Sequence, residues 1–127
     1  MIVVDASAAV SALLNAGSAR QVLTEQQLHA PHLIDSEIAN ALRRGVAASR
    51  IEPKDAWTAL DHWRRLGMLR YPSFHLLGRI WELRENLSAY DASYVALAES
   101  LGCALLTADT RLSHSPGIRC PMTVVPR

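Results

Sequence analysis

Four acidic residues occupy positions where a parallel sheet would bring carboxylates together: Asp5, Glu37, Asp91 and Asp109. Asp5 and Asp109 directly follow apolar runs of strand type, whereas Glu37 and Asp91 fall early in segments with helical periodicity. In open parallel sheets, sites form beyond the carboxyl ends of the strands. Helices that follow such strands begin at the same edge, so all four side chains can converge there.

Carboxylates gathered at one edge repel each other and resist ionisation unless a cation neutralises them. Ligands that offer only oxygen suit Mg²⁺ or Mn²⁺ better than Zn²⁺. A carboxylate-held Mg²⁺ that keeps several waters can activate one of them and stabilise charge on a scissile phosphodiester. The spacing is a weak signal by itself, because acidic residues also end strands in other α/β domains.

Each acid also has a purely structural interpretation. Asp5 can be a helix N-cap, and Asp109 can cap the short turn that follows it. Ser88 and Asp91 have the S-x-x-D spacing of a capping box, and Glu37 can be a solvated helix residue. A single acid is explained about equally well by either interpretation, whereas the set of four favours a metal site.

The elements that must position these acids alternate between strands and helices. Strands are predicted at 1–5, 28–30, 68–71, 104–107 and 118–125. Helices are predicted at 6–15, 18–27, 33–48, 53–66, 74–84 and 88–101. This alternation indicates one domain over residues 1–127, a three-layer α/β/α sandwich with a mainly parallel central sheet.

Large apolar residues identify the faces that these helices should bury. The first helix is expected to turn Val10, Leu13 and Leu14 inward. The fourth is expected to turn Trp57, Leu60 and Trp63 inward. Core or interface packing is also the favoured interpretation of Trp81.

Composition excludes several classes of protein. The 127 residues carry a net charge of +1, so the chain lacks the large positive excess typical of nucleic-acid-binding proteins. It contains no run of 18 apolar residues, so no membrane span is predicted. No export signal is recognisable at the start of the chain. Cys103 and Cys120 are too few for a zinc cluster and are expected to be buried free thiols, which suits a reducing cytoplasm.

Arginine dominates the basic residues, since Lys54 is the only lysine among 13. A guanidinium suits phosphate through paired hydrogen bonds. Arg44 shares a helix face with Glu37 and is expected to approach the acids, and Arg111 follows Asp109 closely. Both are candidate RNA contacts, with a solvated helix face as the alternative.

The motifs together resemble those of a PIN-domain ribonuclease, specifically a VapC-type toxin of a type II toxin-antitoxin system. The matching segments are Val4-Asp5-Ala6-Ser7, residues 37–44 (EIANALRR), residues 87–94 (LSAYDASY) and residues 106–112 (LTADTRL). They cover nearly the whole chain in order. The Tyr-Asp-Ala and Thr-Ala-Asp elements are the most specific parts.

This resemblance implies a function for the acids and for their neighbours. Four residues would hold Mg²⁺ (or Mn²⁺) and activate the attacking water: Asp5, Glu37, Asp91 and Asp109. Ser7 and Thr107 would orient the carboxylates through their hydroxyls, and Asn40 matches a polar position near the acids. The resemblance also implies an RNA substrate, a homodimer, and neutralisation by a cognate VapB-type antitoxin.

Three other classes remain to be weighed. A signalling receiver domain requires an adjacent acidic pair after the first strand and a lysine after the last strand. Asp5 is followed by Ala6, and Lys54 lies elsewhere, so this class fits poorly. A catalytically silent PIN-like module that binds RNA or protein has no use for four acids. The third class is a nuclease of DNA repair or RNA processing, and the compact chain favours a toxin over it.

Overall fold

Five short strands form one fully parallel sheet in the computed structural model, which describes all of residues 1–127. The strands are β1 (Ile2–Val4), β2 (Leu28–Pro31), β3 (Met68–Tyr71), β4 (Ala104–Thr107) and β5 (Met122–Val124). Their order is β3-β2-β1-β4-β5, with parallel pairing throughout. The chain therefore switches direction across the sheet between β1 and β4, which is where sites form in such folds.

Helices cover this sheet and complete the three-layer α/β/α sandwich expected from the sequence. They are α1 (Ala6–Leu14), α2 (Ser18–Glu25), α3 (Ile34–Ala47), α4 (Pro53–Arg65), α5 (Leu77–Glu82), α6 (Ala89–Leu101) and α7 (Thr110–Ser113). Helices α1 and α3 pack against each other, as do α5 and α6. None of the helices is both long enough and apolar enough to cross a membrane.

Helix α6 is the most deeply buried helix and packs against β1, β2 and β4. Every residue from 92 to 98 is buried, so the helix lacks a solvated face over two turns. Gly102 ends it in a left-handed conformation (φ 66°), which glycine adopts without a Cβ clash. The chain then enters β4, the strand that precedes Asp109. Because α6 packs tightly on the sheet, the first turn of α6 and the strand β4 are held in fixed positions.

The inner face of α1 differs from the predicted one. Leu14 is exposed and Val10 and Leu13 are only half-buried, whereas the buried positions include Ala8 and Ala9. Helix α1 packs closely on α2 and α3, and small side chains permit that approach. The prediction was wrong for Leu14, whereas Val10 and Leu13 pack against the core as expected.

The prediction for α4 was wrong for Trp57, which is 56% exposed, and right for Trp63, which is fully buried. The indole of Trp57 lies beneath Arg64, whose guanidinium carbon is 5.5 Å from the ring centroid. Trp63 instead donates its indole N–H to Asp35 at 2.8 Å. A polar partner for the indole, rather than helical spacing, distinguishes the buried tryptophan.

The predicted helix over 74–84 is shorter and less regular than expected. A 3₁₀ turn (Phe74–Leu76) precedes α5. Trp81 is exposed, which rules out core packing and leaves interface packing as its predicted role. The last strand is also shorter than the predicted 118–125. Cys103 and Cys120 are free thiols as expected, but both are half-buried and lie just outside the strands.

Candidate active site

Asp5 and Asp109 lie at the carboxyl ends of adjacent strands, at the switch point of the sheet. The pairing of Val4 with Leu106 continues one step further, because the Asp5 amide donates to the Leu106 carbonyl at 3.0 Å. Asp91 lies in the first turn of α6, and Glu37 in the first turn of α3. The local folds of four separate elements therefore bring the four predicted acids to one edge.

Asp5 is almost fully buried, and its carboxylate accepts hydrogen bonds and also lies close to another acid. Its Oδ1 accepts hydrogen bonds from the Ala8 amide at 2.9 Å and from the Ser7 hydroxyl at 2.7 Å. Burial raises the pKa of Asp5, the hydrogen bonds oppose that rise, and the charge of Asp91 adds to it. Asp5 therefore caps α1 and also belongs to the acidic group, so the two interpretations are compatible.

Ser7 and Thr107 connect the start of α1 to the end of β4. The Ala108 amide donates to Ser7 Oγ at 2.9 Å, and Ser7 Oγ lies 3.3 Å from Thr107 Oγ1. Thr107 Oγ1 also accepts from the Asp109 amide at 3.0 Å. The two hydroxyls therefore hold the backbone amides of Ala108 and Asp109 close to the start of α1.

Glu37 is oriented by a residue that sequence analysis missed. Tyr94, 1% exposed in α6, donates its hydroxyl to Glu37 Oε1. The sequence includes Tyr94 in the matching segment 87–94 but gives it no role at the site. Its position three residues after Asp91 was the available signal, because a buried tyrosine hydroxyl needs a polar partner.

Burial raises the pKa of Glu37, and the charges of Asp91 and Asp5 raise it further. The hydrogen bond from Tyr94 and the positive charge of Arg44 act in the opposite direction. The three acids therefore influence one another electrostatically, although they come from different parts of the chain.

The Asp91 carboxylate is not used as a helix cap. Ser88 is the N-cap of α6, and its Oγ accepts from the Asp91 amide at 3.1 Å. Burial raises the pKa of Asp91, and the neighbouring charge of Asp109 raises it further. The capping interpretation thus applies to Ser88 and leaves the carboxylate available.

Asp109 differs from the other three acids. Its Oδ1 caps the short helix α7 by accepting from the Arg111 amide at 2.9 Å, and the Arg111 guanidinium lies 3.4 Å away. Partial burial opposes ionisation, but the hydrogen bonds and charge of Arg111 outweigh it and lower the pKa of Asp109. The Arg111 side chain is 89% exposed, so solvent or a phosphate can compete for it.

The chemistry of the donor set fits a hydrated divalent cation. No three His, Cys, Asp or Glu side chains are close enough together to hold a metal ion directly. Mutual repulsion keeps uncompensated carboxylates apart. Mg²⁺ usually takes only one or two protein carboxylates and fills its remaining positions with water, so a closed three-ligand group is not required.

The two other predicted polar residues on α3 differ in position. Asn40 is exposed, accepts from Arg43 Nε at 3.0 Å, and contacts none of the four acids. Arg44 lines a cavity of about 380 Å³ together with Glu37 and Ser7. The arginine, rather than the asparagine, is the polar neighbour of the acids.

A larger groove of about 1000 Å³ lies between α1, α2 and α4. None of the four acids lines it, so it is separate from the acidic edge.

Comparison with known proteins agrees with this geometry. A model of the PIN domain matches residues 2–117. Ribonuclease VapC9 of Mycobacterium tuberculosis (strain ATCC 25618 / H37Rv) is 61% identical over 127 residues, which is all of both chains.

Solved structures show the same fold. PAE2754 from Pyrobaculum aerophilum matches with a TM-score of 0.71 and 26% identity, covering 94% of this chain and 87% of that one. VapBC2 from Rickettsia felis, solved bound to a DNA fragment from their promoter, matches in fold alone, with a TM-score of 0.68 and 13% identity over 98% of this chain and 99% of that one. The resemblance seen in the motifs is thus confirmed, and the chain belongs to the PIN-domain family and, within it, to the VapC ribonucleases.

Proposed function

We propose that this protein is a Mg²⁺- or Mn²⁺-dependent endoribonuclease toxin that hydrolyses RNA phosphodiester bonds. The observation that carries the proposal is the group of Asp5, Glu37 and Asp91, whose pKa values are all raised by burial and by neighbouring acids. Carboxyls with raised pKa values at the switch point of a sheet are typical of functional sites. The relationship to VapC9, which is named a ribonuclease, supports the choice of RNA.

In this proposal, Asp5, Glu37, Asp91 and Asp109 hold the divalent cation, one or two of them directly and the others through its bound waters. When bound, the cation would supply a nucleophilic water at neutral pH and positive charge for the scissile phosphate. Ser7 donates to Asp5 and thereby fixes one carboxylate oxygen.

The remaining polar groups position the acids or face the substrate. Thr107 holds the backbone amide of Asp109, and Tyr94 holds Glu37. Arg111 is exposed beside Asp109 and can exchange that carboxylate for an RNA phosphate. Asn40 remains a weaker candidate, because its amide is turned to Arg43 and solvent.

The biological setting is proposed from the family. We infer a cognate VapB-type antitoxin, a homodimer, and a single nuclease domain over residues 1–127. The resemblance in fold to VapBC2 is compatible with a toxin that pairs with an antitoxin. A cytoplasmic location fits the free thiols of Cys103 and Cys120, since a reducing compartment preserves them.

The alternative is a PIN-like module that binds RNA or protein without cutting. The retained acids argue against it, because uncompensated buried carboxylates weaken a fold that does not use them. Incubating purified protein with total RNA distinguishes the two. We expect discrete fragments with Mg²⁺ or Mn²⁺ and none with EDTA, and intact RNA in every condition would favour the silent module.

A further inference from the structure

The cavity of about 380 Å³ beside Glu37 is built from three separate parts of the chain. Residues of α1 form one wall, residues of α3 form another, and Arg127 closes the third side. The lining residues are Ala6, Ser7, Val10, Ser11, Leu14, Asn15, Glu37, Ala41, Arg44 and Arg127. Glu37 is therefore the one acid of the group that also lines this cavity.

Specific contacts hold the segment that carries Arg127 against the sheet and α1. The Val125 amide donates to the Thr107 carbonyl at 2.8 Å, and the Val125 side chain is buried. Ser11 Oγ donates to the Pro126 carbonyl at 2.9 Å. The position of Arg127 beside the cavity thus follows from contacts made by the two residues before it.

The guanidinium groups of Arg44 and Arg127 have no ion pair or hydrogen bond in the structure, although both are close to an acidic site. Three other arginines are paired, Arg70 with Asp35, Arg79 with Glu99, and Arg111 with Asp109. Arg119 is also unpaired, but it does not line this cavity. The charge of Arg44 reaches Glu37, whose pKa it helps to lower, but it does not form a salt bridge there. The cavity is lined by both polar and apolar residues. Two unpaired guanidinium groups beside it suit an anion.

We propose that this cavity is a subsite for the RNA backbone, in which Arg44 and Arg127 hold a phosphate adjacent to the one that is cut. This inference rests on the proposed function. A cavity of this volume is within the range that holds a nucleotide-sized ligand. Phosphate is the anion that RNA presents on either side of the reacting bond, and Glu37 places the cavity beside that bond.

RNA binding can be measured separately from cleavage in the Asp91→Asn background. The probe is a fluorescein-labelled 12-nucleotide RNA of mixed sequence, with fluorescence anisotropy read at several salt concentrations. We expect Arg44→Gln and Arg127→Gln each to weaken binding about 3- to 10-fold and to reduce the salt slope by about one contact. Arg119→Gln is the matched control, since its side chain also lacks a partner and it precedes β5, whereas Arg127 follows the other end of that strand.

Kinetics of the otherwise unmodified protein then separate this inference from the proposed function. We expect Arg127→Gln to raise KM with little change in kcat. If the wild type cuts RNA but both arginine variants bind and cut like Arg119→Gln, the subsite is wrong and the nuclease stands. If the wild type cuts nothing while the variants still lose affinity, the nuclease is wrong and the RNA site stands. Absence of RNA binding in all the proteins would overturn the subsite.

Discussion

The two ends of helix α6 carry acids in opposite electrostatic surroundings. Asp91, in the first turn, forms no ion pair, and burial and Asp109 raise its pKa more than the charge of Arg111 lowers it. Glu99, in the last turn, accepts from Arg79 at 2.6 and 3.1 Å and from the Arg119 amide at 2.7 Å. Burial opposes ionisation of Glu99, yet these partners lower its pKa.

This difference separates structural acids from functional ones within a single helix. Arg79 also donates to the Gly117 carbonyl at 2.6 Å, so the pair with Glu99 joins α5, α6 and the loop before β5. Asp91 makes no comparable connection and instead faces other acids. Under the proposed function, a ligand rather than the fold uses the Asp91 carboxylate.

Neutralising Asp91 should have the largest effect on activity. We expect Asp91→Asn to reduce the rate of RNA cleavage by at least about 10²-fold, because it removes charge that holds the cation. Glu99→Gln, at the other end of α6, should retain the rate of the folded wild type. Both rates are measured with purified protein and Mg²⁺, and cleavage by Asp91→Asn at the wild-type rate would disprove the assignment.

The free energy of unfolding should depend on Glu99, whereas the cleavage rate should depend on Asp91. Glu99→Gln removes the charge that matches the largely buried Arg79, and we expect a loss of about 2 kcal/mol in the free energy of unfolding. Urea denaturation of the metal-free proteins at pH 7 measures this. An unchanged midpoint for Glu99→Gln would show that the ion pair does not hold α6 in place.

Tyr94 permits a test of orientation without a change in charge. Tyr94→Phe keeps the buried ring but removes the hydrogen bond to Glu37, and we expect Mn²⁺ affinity to fall about 10-fold. Isothermal titration calorimetry measures the affinity directly. The matched control is Tyr90→Phe, because Tyr90 is 64% exposed and makes no hydrogen bond through its hydroxyl. Equal affinities in both variants would make Tyr94 a packing residue only.

The smallest expected effect is on melting temperature as a function of pH. The raised pKa of Asp91 favours its protonated form in the folded state, so its contribution to stability is present below the unfolded pKa of about 4 and is lost as pH rises through the folded value. We therefore expect metal-free Asp91→Asn to equal the wild type near pH 4 and to melt a few degrees higher at pH 7.

Glu99 should show the opposite trend, because its folded pKa is lowered. The advantage of the wild type over Glu99→Gln should be present above the unfolded pKa of about 4.3 and disappear as pH falls through the folded value. Thermal melts from pH 3 to pH 7 without metal measure both differences. Parallel curves for the two variants would remove the distinction between the ends of α6.

Much of this arrangement was predictable from local sequence patterns. Asp5 and Asp109 follow strands whose apolar runs are unmistakable, and a parallel sheet places such residues at a common edge. Ser7 and Thr107 were found through family motifs, and the structure places their hydroxyls 3.3 Å apart. Helical periodicity also placed Asp91 early in a helix, and the structure has it in the first turn of α6.

Contacts between distant segments were not predictable. Tyr94 and Glu37 are separated by 57 positions, and nothing in either helix alone specifies their hydrogen bond. Exposure of Trp57 was missed because apolar spacing does not reveal which face has a neighbour. The proximity of Arg127 to Glu37 depends on where β5 pairs with β4, a choice made by the whole sheet.

The most direct test is a map of RNA 5′ ends after induced expression in bacterial cells. Wild type, Asp91→Asn and Glu99→Gln are compared, together with growth. We predict growth arrest and new ends at a few sites with wild type and Glu99→Gln, and neither with Asp91→Asn. The same new ends with Asp91→Asn would contradict the claim that the unmatched acids carry the chemistry.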